Sequence, residues 1–586
     1  MTAPAFPCNL PRKNAPRPLC SLARRTAAVL SRLLPLAGAA AVMACTAKGP
    51  LMSGDPGVAC AGLAAPIPAA RIGIPSGAAT IDSATLVASS ALQVAERAPT
   101  PAATITPAAP ERCQVIGRIA PLDPASPPIL FQVNLPTNWN GRSVQYGGGG
   151  FNGTLITGLG LPPAAPYDAP SPLARGYVTY GTDSGHQTRQ GEPPQAFAMN
   201  DEALVNFAHA SYKKVRDVAV ELMQRAYGRG PQKLYFVGSS EGGREGLTMA
   251  QRYPADFDGI FSRVPVINWT GLQHAGTRNG IATMGDTWIR PAQVTLVHEA
   301  VLAACDASDG LADRLVSDAA GCRTRFDVAR LLCSVGVNDD TCLTDAQVRA
   351  VRTLHSPYRF DFPLAHGVQE YPGWGVSGEG TPASGPTGGW SAWWLGRSAP
   401  TLPPQPTNSI AWIYGSGAIQ YFYARDPAFD VRRYDPNQHT ARIRQVSELM
   451  DSTNPDLSAF QRRGGKLVIL ENMADYAQSP YAGVQYHQAV VARMGRDTVD
   501  SFLRLYAAPG VDHVGTGGPA NVDMLGAVAD WVENGNPPSG LKLVTQEAKP
   551  PFRTTNARPL CAWPQWPRYL GGSDTTLAGS FECVSQ

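Results

Sequence analysis

The sequence predicts an α/β fold in which strands and helices alternate around a sheet core and a large insertion splits that core. Three observations predict it. Apolar runs are followed by glycine turns and amphipathic helices, the order of an α/β unit. That alternation stops near residue 276 and resumes at Lys466. The 586 residues are enough for one large core or two moderate ones. Composition agrees: 44% of residues are apolar, 16% are charged, and there are 59 Gly and 53 Pro without a period of three. This is the texture of a loop-rich enzyme rather than of a helical bundle or a disordered chain. Lys+Arg number 49 against 46 Asp+Glu, a formal charge of +3. So balanced a chain argues against a nucleic-acid partner, which calls for clustered basic residues.

Residues 1–45 read as a leader. Arg12, Lys13, Arg17, Arg24, Arg25 and Arg32 precede the small apolar run Leu33–Ala44, the order of a secretory signal. The run is too short for the roughly 20 residues that span a bilayer, so no transmembrane span is expected. Val42-Met43-Ala44-Cys45 resembles a lipobox, which makes Cys45 a candidate lipid anchor, with ordinary cleavage nearby as the competing reading. Arg24-Arg25 add weak support for twin-arginine export.

Residues 46–110, rich in Ala, Pro and Thr, read as an extended N-terminal arm packed on the core and held by Cys60 and Cys113, with a flexible linker as the alternative. The first core segment, 111–275, holds strand-like runs at Cys113–Ala120, Ile129–Leu135, Ser143–Tyr146 and Gly176–Tyr180. A helical pattern over 202–227 is closed by Gly228 and Gly230. The buried strand Lys233–Val237 and the helix Ser240–Arg252 follow. Residues 276–455, with many Trp and Gly/Pro-rich stretches, read as an inserted lid domain. The second core segment, 456–586, supplies strands Lys466–Leu470 and Phe502–Tyr506 and helices 482–494 and 521–534.

Of eleven cysteines, Cys8, Cys20 and Cys45 lie in the leader. The even set beyond it (Cys60, Cys113, Cys305, Cys322, Cys333, Cys342, Cys561 and Cys583) suits an oxidising compartment: periplasm, outer-membrane lipoprotein or extracellular space. Spacing alone leaves connectivity open. Pairing of sequence neighbours closes the shortest loops and is the low-entropy choice.

Gly238-Ser239-Ser240-Glu241-Gly242 follows an apolar strand directly and opens a helix. Small residues two before and two after a serine permit the tight turn that lifts its hydroxyl above the sheet edge. The helix N-terminus behind it favours negative charge developing on an attacked carbonyl. Ser240 is therefore the nucleophile, Ser239 its rival within the motif, and a glycine-rich helix cap without chemistry the bland reading. The order nucleophile, acid, base belongs to the α/β-hydrolase plan, so the core is expected to be an α/β-hydrolase core. His513, in the loop Pro509–Gly518 after strand 502–506, sits where that plan needs its base. Asp475, just beyond strand 466–470, sits where the orienting acid belongs. Asp512 is the alternative acid, poorly placed because it adjoins His513. His487 falls within a helix.

Gly147–Gly150 and Gly153 follow an early strand and leave backbone N–H groups unshielded. That loop is expected to supply one oxyanion donor and the N–H of Glu241 the other. A phosphate loop is excluded by the missing Gly-Lys-Ser/Thr, and zinc hydrolysis by the missing HExxH. Asp306, Asp309 and Asp313, with Gly310 turning the chain between them, suit calcium, which favours six to eight oxygens. The carbonyls of Leu311 and Leu315 are natural supplements. An acidic surface loop between two cysteines is the alternative.

With these residues in hand, the chain from about 110 onward resembles the tannase and feruloyl esterase family. The resemblance is carried by Gly147–Gly153, Thr182–His186, Gly238–Gly246, Tyr253–Gly259, Cys305–Leu315, Cys342–Thr344, Gly465–Leu467 and the surroundings of Asp475 and His513. It implies an α/β-hydrolase core with a large lid and a Ser240–His513–Asp475 triad. It implies oxyanion donors at Gly149 or Gly150 and Glu241, and structural Ca2+ held by Asp306, Asp309, Asp313 and the Leu311 and Leu315 carbonyls. It also supports the neighbour disulfides, and no organic cofactor is implied. One departure stands out: the family's paired cysteines beside the nucleophile and the base are here Ser239 and Val514.

The function expected is that of an exported serine esterase acting on small aromatic acid esters (galloyl, feruloyl or terephthalate-type) through an acyl-enzyme. An esterase for aliphatic or polyester-derived oligomers is the alternative, and a non-catalytic binding protein the reading from another class. Trp390, Trp393, Trp394, Trp412, Tyr414, Tyr421, Phe422 and Tyr423 are candidates to line an aromatic cleft. Arg397 and Arg425 are candidates to meet a substrate carboxylate. The oligomeric state is not legible.

Overall fold

The computed structural model describes residues 52, 54–95, 104–380 and 388–585. All of them belong to the unit Lys48–Gln586. The leader, with Cys45 and the Arg24-Arg25 pair, lies outside them.

The core is a ten-stranded mixed sheet. In chain order its strands are β1 Ala79–Val87, β2 Arg112–Ile119, β3 Ile129–Pro136, β4 Arg142–Tyr146, β5 Val178–Thr182, β6 Lys233–Ser239, β7 Gly259–Arg263, β8 Lys466–Asn472, β9 Leu503–Ala508 and β10 Cys561–Ala562. Across the sheet they run β1-β2-β3-β5-β4-β6-β7-β8-β9-β10. The stretch from β5 to β9 is parallel, flanked by antiparallel strands at both edges.

Helices cover both faces, which is why the central strands read as continuous apolar runs. On one face Phe236, Ile260, Leu467 and Ile469 pack with Val484 and Val490 of α8 (Pro480–Met494). On the other, Tyr235, Val237, Phe261, Val468 and Leu470 pack with Leu525, Val528 and Trp531 of α9 (Met524–Asn534). Neighbouring residues of one strand thus serve opposite layers.

The described part of the arm 46–110 packs on the core: Cys60 is bonded to Cys113, and β1 pairs with β2 over its length. One expectation is refined. The helix read over 202–227 is broken into Asp201–Val205, a π turn at Asn206–Ala210 and α1, Ser211–Tyr227. The cause lies one layer deeper. The carbonyls of Phe207 and Ala208 in the π turn accept from the buried Arg244 guanidinium at 3.3 and 2.9 Å, a demand that a regular helix would leave unmet.

Between β7 and β8 the chain leaves the sheet for about two hundred residues, mostly helical. The helices that matter for the site are α3 Trp269–Ala282, α4 Pro291–Cys305, α5 Asp345–His355, α6 Ile410–Ala418 and α7 Thr440–Met450. α3 runs through the expected boundary at 275/276. The disulfides are Cys60–Cys113, Cys305–Cys322, Cys333–Cys342 and Cys561–Cys583, all sequence neighbours. Among the described residues no helix is long and apolar enough to cross a membrane.

Candidate active site

Ser240 stands between β6 and α2 (Glu241–Arg252) with φ 62° and ψ −122°, a strained conformation for a residue with a Cβ. The turn is possible because its flanking glycines let backbones touch. A Cβ on Gly238 would come within 2.0 Å of the Gly242 carbonyl, and one on Gly242 within 2.6 Å of the Gly148 carbonyl. The strain is held from outside the turn: Ser240 N donates to the Arg263 carbonyl at 3.0 Å, and Val266 N donates to the Ser240 carbonyl at 3.2 Å.

His513 lies between the other two candidates. Its Nε2 is 2.9 Å from Ser240 Oγ and its Nδ1 2.7 Å from Asp475 Oδ2. Asp475 is fixed in turn, its Oδ1 accepting from Ala477 N and Gln478 N at 2.7 and 3.0 Å. Gln478 Nε2 also reaches Asp475 Oδ2 at 3.3 Å and Glu471 Oε2 at 2.8 Å. Burial, reinforced by the Asp475 charge, holds the Glu471 carboxyl well above its usual range. Asp512 has another task. Its Oδ1 accepts from the N–H groups of Val514, Gly515 and Thr516 and its Oδ2 from Thr516 Oγ1, closing the loop that presents His513.

The glycine loop after β4 is tied to α2. Glu245 accepts from Gly148 N at 2.9 Å and from Asn152 Nδ2 at 2.7 Å, and it also bonds the Tyr212 hydroxyl. Asn152 Oδ1 takes the Gly149 N–H. Of the two glycines expected as donors, Gly149 thus has its N–H committed to its own loop, which leaves Gly150. The N–H groups of Gly150 and Glu241 have no protein acceptor among the described residues and flank Ser240. The Glu241 side chain turns away to pair with Arg244.

A cleft of about 280 Å³ opens over Ser240. Its floor is Gly149, Gly150, Glu241, Gln478 and His513, and its walls include Phe151, Trp269, Trp393 and Tyr414. A strained serine, a histidine and a carboxylate in hydrogen-bond series beside free N–H groups can carry out acyl transfer.

The comparisons agree. The profile of the family described as tannase and feruloyl esterase matches residues 113–584. The chain belongs to the tannase and feruloyl esterase family. It is a carboxylic ester hydrolase. It is 37% identical over 549 residues to an uncharacterised esterase of Agrobacterium fabrum, covering 90% of this chain and 93% of that one. It is 31% identical over 540 residues to mono(2-hydroxyethyl) terephthalate hydrolase of Piscinibacter sakaiensis, covering 83% and 87%. Among solved structures, feruloyl esterase B from Aspergillus oryzae superposes with a TM-score of 0.71 at 25% identity, covering 90% of this chain and all of that one. The sheet is thus an α/β-hydrolase core.

In this esterase the proposed aromatic lining is redistributed. Trp390, Trp394 and Trp412 are 1%, 1% and 0% exposed and pack inside the insertion, where Trp412 Nε1 donates to the Thr401 carbonyl. Phe422 and Tyr423 are buried as well. Trp393 and Tyr414 do reach the cleft. Spacing does not separate Trp393 from the buried set, since Trp393 and Trp394 lie three and four residues beyond Trp390 and both could share its helical face. Trp269 and Phe151 were missed: Trp269 lies in a segment read only as core, and Phe151 in a loop read only for its backbone donors. Neither proposed arginine lines the cleft: Arg425 pairs with Asp201, and Arg397 is exposed.

The acidic loop has the chemistry for calcium without being a finished cage. Asp306 and Asp313 both accept from Leu315 N, at 3.1 and 3.2 Å. Asp309 is 2% exposed, and burial, with the charges of Asp313 and Asp306 adding to it, holds its carboxyl above the usual value. Hard oxygen donors with unrelieved negative charge fit Ca2+. Against this, Asp313 Oδ2 is already paired with Arg558 at 2.6 Å, and among the described residues no group of three His, Cys, Asp or Glu is arranged to hold a metal.

Proposed function

We propose that this esterase hydrolyses esters of uncharged aromatic acids, of the galloyl or feruloyl type, through an acyl-enzyme on Ser240. The observation that carries the reading is the cleft itself: aromatic walls over the Ser240–His513–Asp475 series, with no cationic side chain among its described lining residues. A flat aryl acid fits such walls. A free carboxylate in the acid half would be desolvated without a partner.

His513 Nε2 takes the Ser240 proton as Oγ attacks the ester carbonyl, and Gly150 N and Glu241 N receive the oxyanion. The alcohol leaves with that proton, and water, deprotonated by the same nitrogen, releases the acid. The insertion acts as a lid, its Trp269, Trp393 and Tyr414 closing the cleft from the side opposite the sheet. Asp306, Asp309 and Asp313 with the Leu311 and Leu315 carbonyls would hold a calcium ion, whose contribution is to clamp that loop rather than to take part in the reaction. Four disulfides support an exported enzyme.

A terephthalate monoester is the second reading, favoured by the likeness to the Piscinibacter hydrolase. Methyl gallate, methyl ferulate, mono(2-hydroxyethyl) terephthalate and p-nitrophenyl butyrate, with wild type and Ser240→Ala, separate the readings. Preferred turnover of a neutral aryl ester, with an acyl adduct seen by intact mass and absent in Ser240→Ala, is the expected result. Preference for the terephthalate ester would move the assignment to the second reading, and turnover of butyrate alone to an aliphatic esterase.

A further inference from the structure

We propose that Arg263 is a positioning residue of the hydrolytic site, joining the nucleophile turn to the loop of His513 and supplying positive charge near Asp475. The proposal rests on the triad reading and adds a residue that makes no contact with the cleft.

Arg263 ends β7 and works through both of its ends. Its carbonyl accepts the Ser240 N–H at 3.0 Å. That carbonyl lies so close to α2 that a Cβ on Gly243 would meet it at 2.7 Å. Its side chain runs the other way. Nη1 donates to Ser239 Oγ at 3.3 Å, and Nη2 lies where a Cβ on Gly515, two residues beyond His513, would touch it at 2.9 Å. One residue thus contacts the segments on either side of the Ser240–His513 hydrogen bond.

Packing alone does not account for an arginine there. The residue is 7% exposed and its Nε has no hydrogen-bond partner among the described residues. Burying an incompletely satisfied cation is costly, and an apolar side chain of the same volume would fill the space more cheaply. What an apolar side chain lacks is charge. The guanidinium interacts electrostatically with Asp475, Asp512 and Tyr476, so it adds positive charge near the carboxylate of the triad.

The test uses Arg263→Met and Arg263→Lys in the full chain, with kcat and KM for p-nitrophenyl butyrate measured beside the thermal midpoint. In Arg263→Met, kcat is expected to fall by about tenfold to a hundredfold with KM nearly unchanged. Arg263→Lys, which keeps the charge, should return kcat toward wild type. If Arg263→Met keeps the wild-type kcat and only melts earlier, the residue is structural and the proposal is overturned. Should Arg263→Met fail to fold, Ser239→Ala, which removes only the hydroxyl acceptor, is expected to lower kcat severalfold. An unchanged kcat in Ser239→Ala would then overturn it. Turnover surviving in Ser240→Ala would sink the triad reading instead, whatever Arg263 does.

Discussion

Ser240 and His513 face each other at 2.9 Å, yet the structures behind them differ in kind. Behind Ser240 stands secondary structure. β6 and α2 fix the turn, and a buried polar network (Glu241, Arg244, Glu245, Tyr212 and Asn152) ties the glycine loop and the π turn to the same helix. Behind His513 stands a loop. Pro509–Gly518 has no ladder of its own and keeps its shape through Asp512, through Arg263 on one side and through Leu315 on the other. A Cβ on Gly510 or Gly518 would come within 2.5 or 2.9 Å of Leu315 atoms. The nucleophile is thus held by secondary structure and its hydrogen-bond network, and the base by side chains packed against an irregular loop. Damage on the first side should appear as lost turnover in a folded enzyme, and damage on the second as turnover and stability lost together.

The largest effect on turnover among these predictions belongs to Asn152. It bridges Glu245 and Gly149 at φ 46°, so Asn152→Gly removes the side-chain bonds while leaving the backbone unstrained. With Gly149 released, the loop that presents Gly150 N loses its anchor. We expect kcat to fall by about a hundredfold, KM to change little and the thermal midpoint to stay within a few degrees. Steady-state kinetics beside a melt reads all three. A parallel loss of midpoint and turnover would mean that the glycine loop is no better braced than the loop of His513.

Leu315→Ala probes the other side. The leucine links the acidic loop, whose Asp306 and Asp313 accept its N–H, to both ends of the His513 loop. The truncation should cost about 2–3 kcal/mol of stability and lower kcat severalfold. EDTA, by stripping the calcium proposed for that loop, should lower the wild-type midpoint through the same contact, and by less in Leu315→Ala, whose loop is already uncoupled. Calorimetry with and without calcium separates the terms. An EDTA-insensitive midpoint in both proteins would overturn the metal assignment and leave Arg558 as the partner of that loop.

The contrast also explains what the sequence could disclose. The Ser240 turn is local, because glycines at fixed offsets between an apolar strand and a helix can mean little else, and Asp475 and His513 follow from the order of strands. What could not be read depends on partners far away. The π turn at Asn206–Ala210 exists because Arg244, some forty residues on, needs its carbonyls. Gly149 loses its N–H to a side chain three residues later. β1 is hidden in Ala79-Thr80-Ile81-Asp82-Ser83-Ala84, a weak strand pattern that becomes a strand only beside β2. Arg263 was not singled out at all, since nothing near it in sequence announces the Ser239 hydroxyl and the Gly515 backbone that it meets.

The smallest effect on turnover is expected at Glu379, in the insertion and outside the cleft. Its side chain is buried, Oε2 accepting from Ser377 N at 2.9 Å and Oε1 lying 4.0 Å from His355 Nε2. Burial pushes its carboxyl up to about 7 and the His355 imidazole down to about 4, so around pH 6 both are neutral. The Arg323 charge adds to the shift of His355. The sign follows from linkage: a carboxyl whose folded value lies above the unfolded 4.5 binds its proton more tightly when folded. Its contribution to stability is therefore fully present below about pH 4.5 and is lost as pH rises through about 7. Glu379→Gln keeps the neutral shape and cannot ionise. Its midpoint should match wild type at pH 4.5 and exceed it by a few degrees at pH 8, with kcat unchanged at both. A midpoint gain that is the same at both pH values would mean that the carboxyl is ionised throughout. His355 would then have to be read as its protonated partner, and the insertion would owe part of its stability to a buried ion pair.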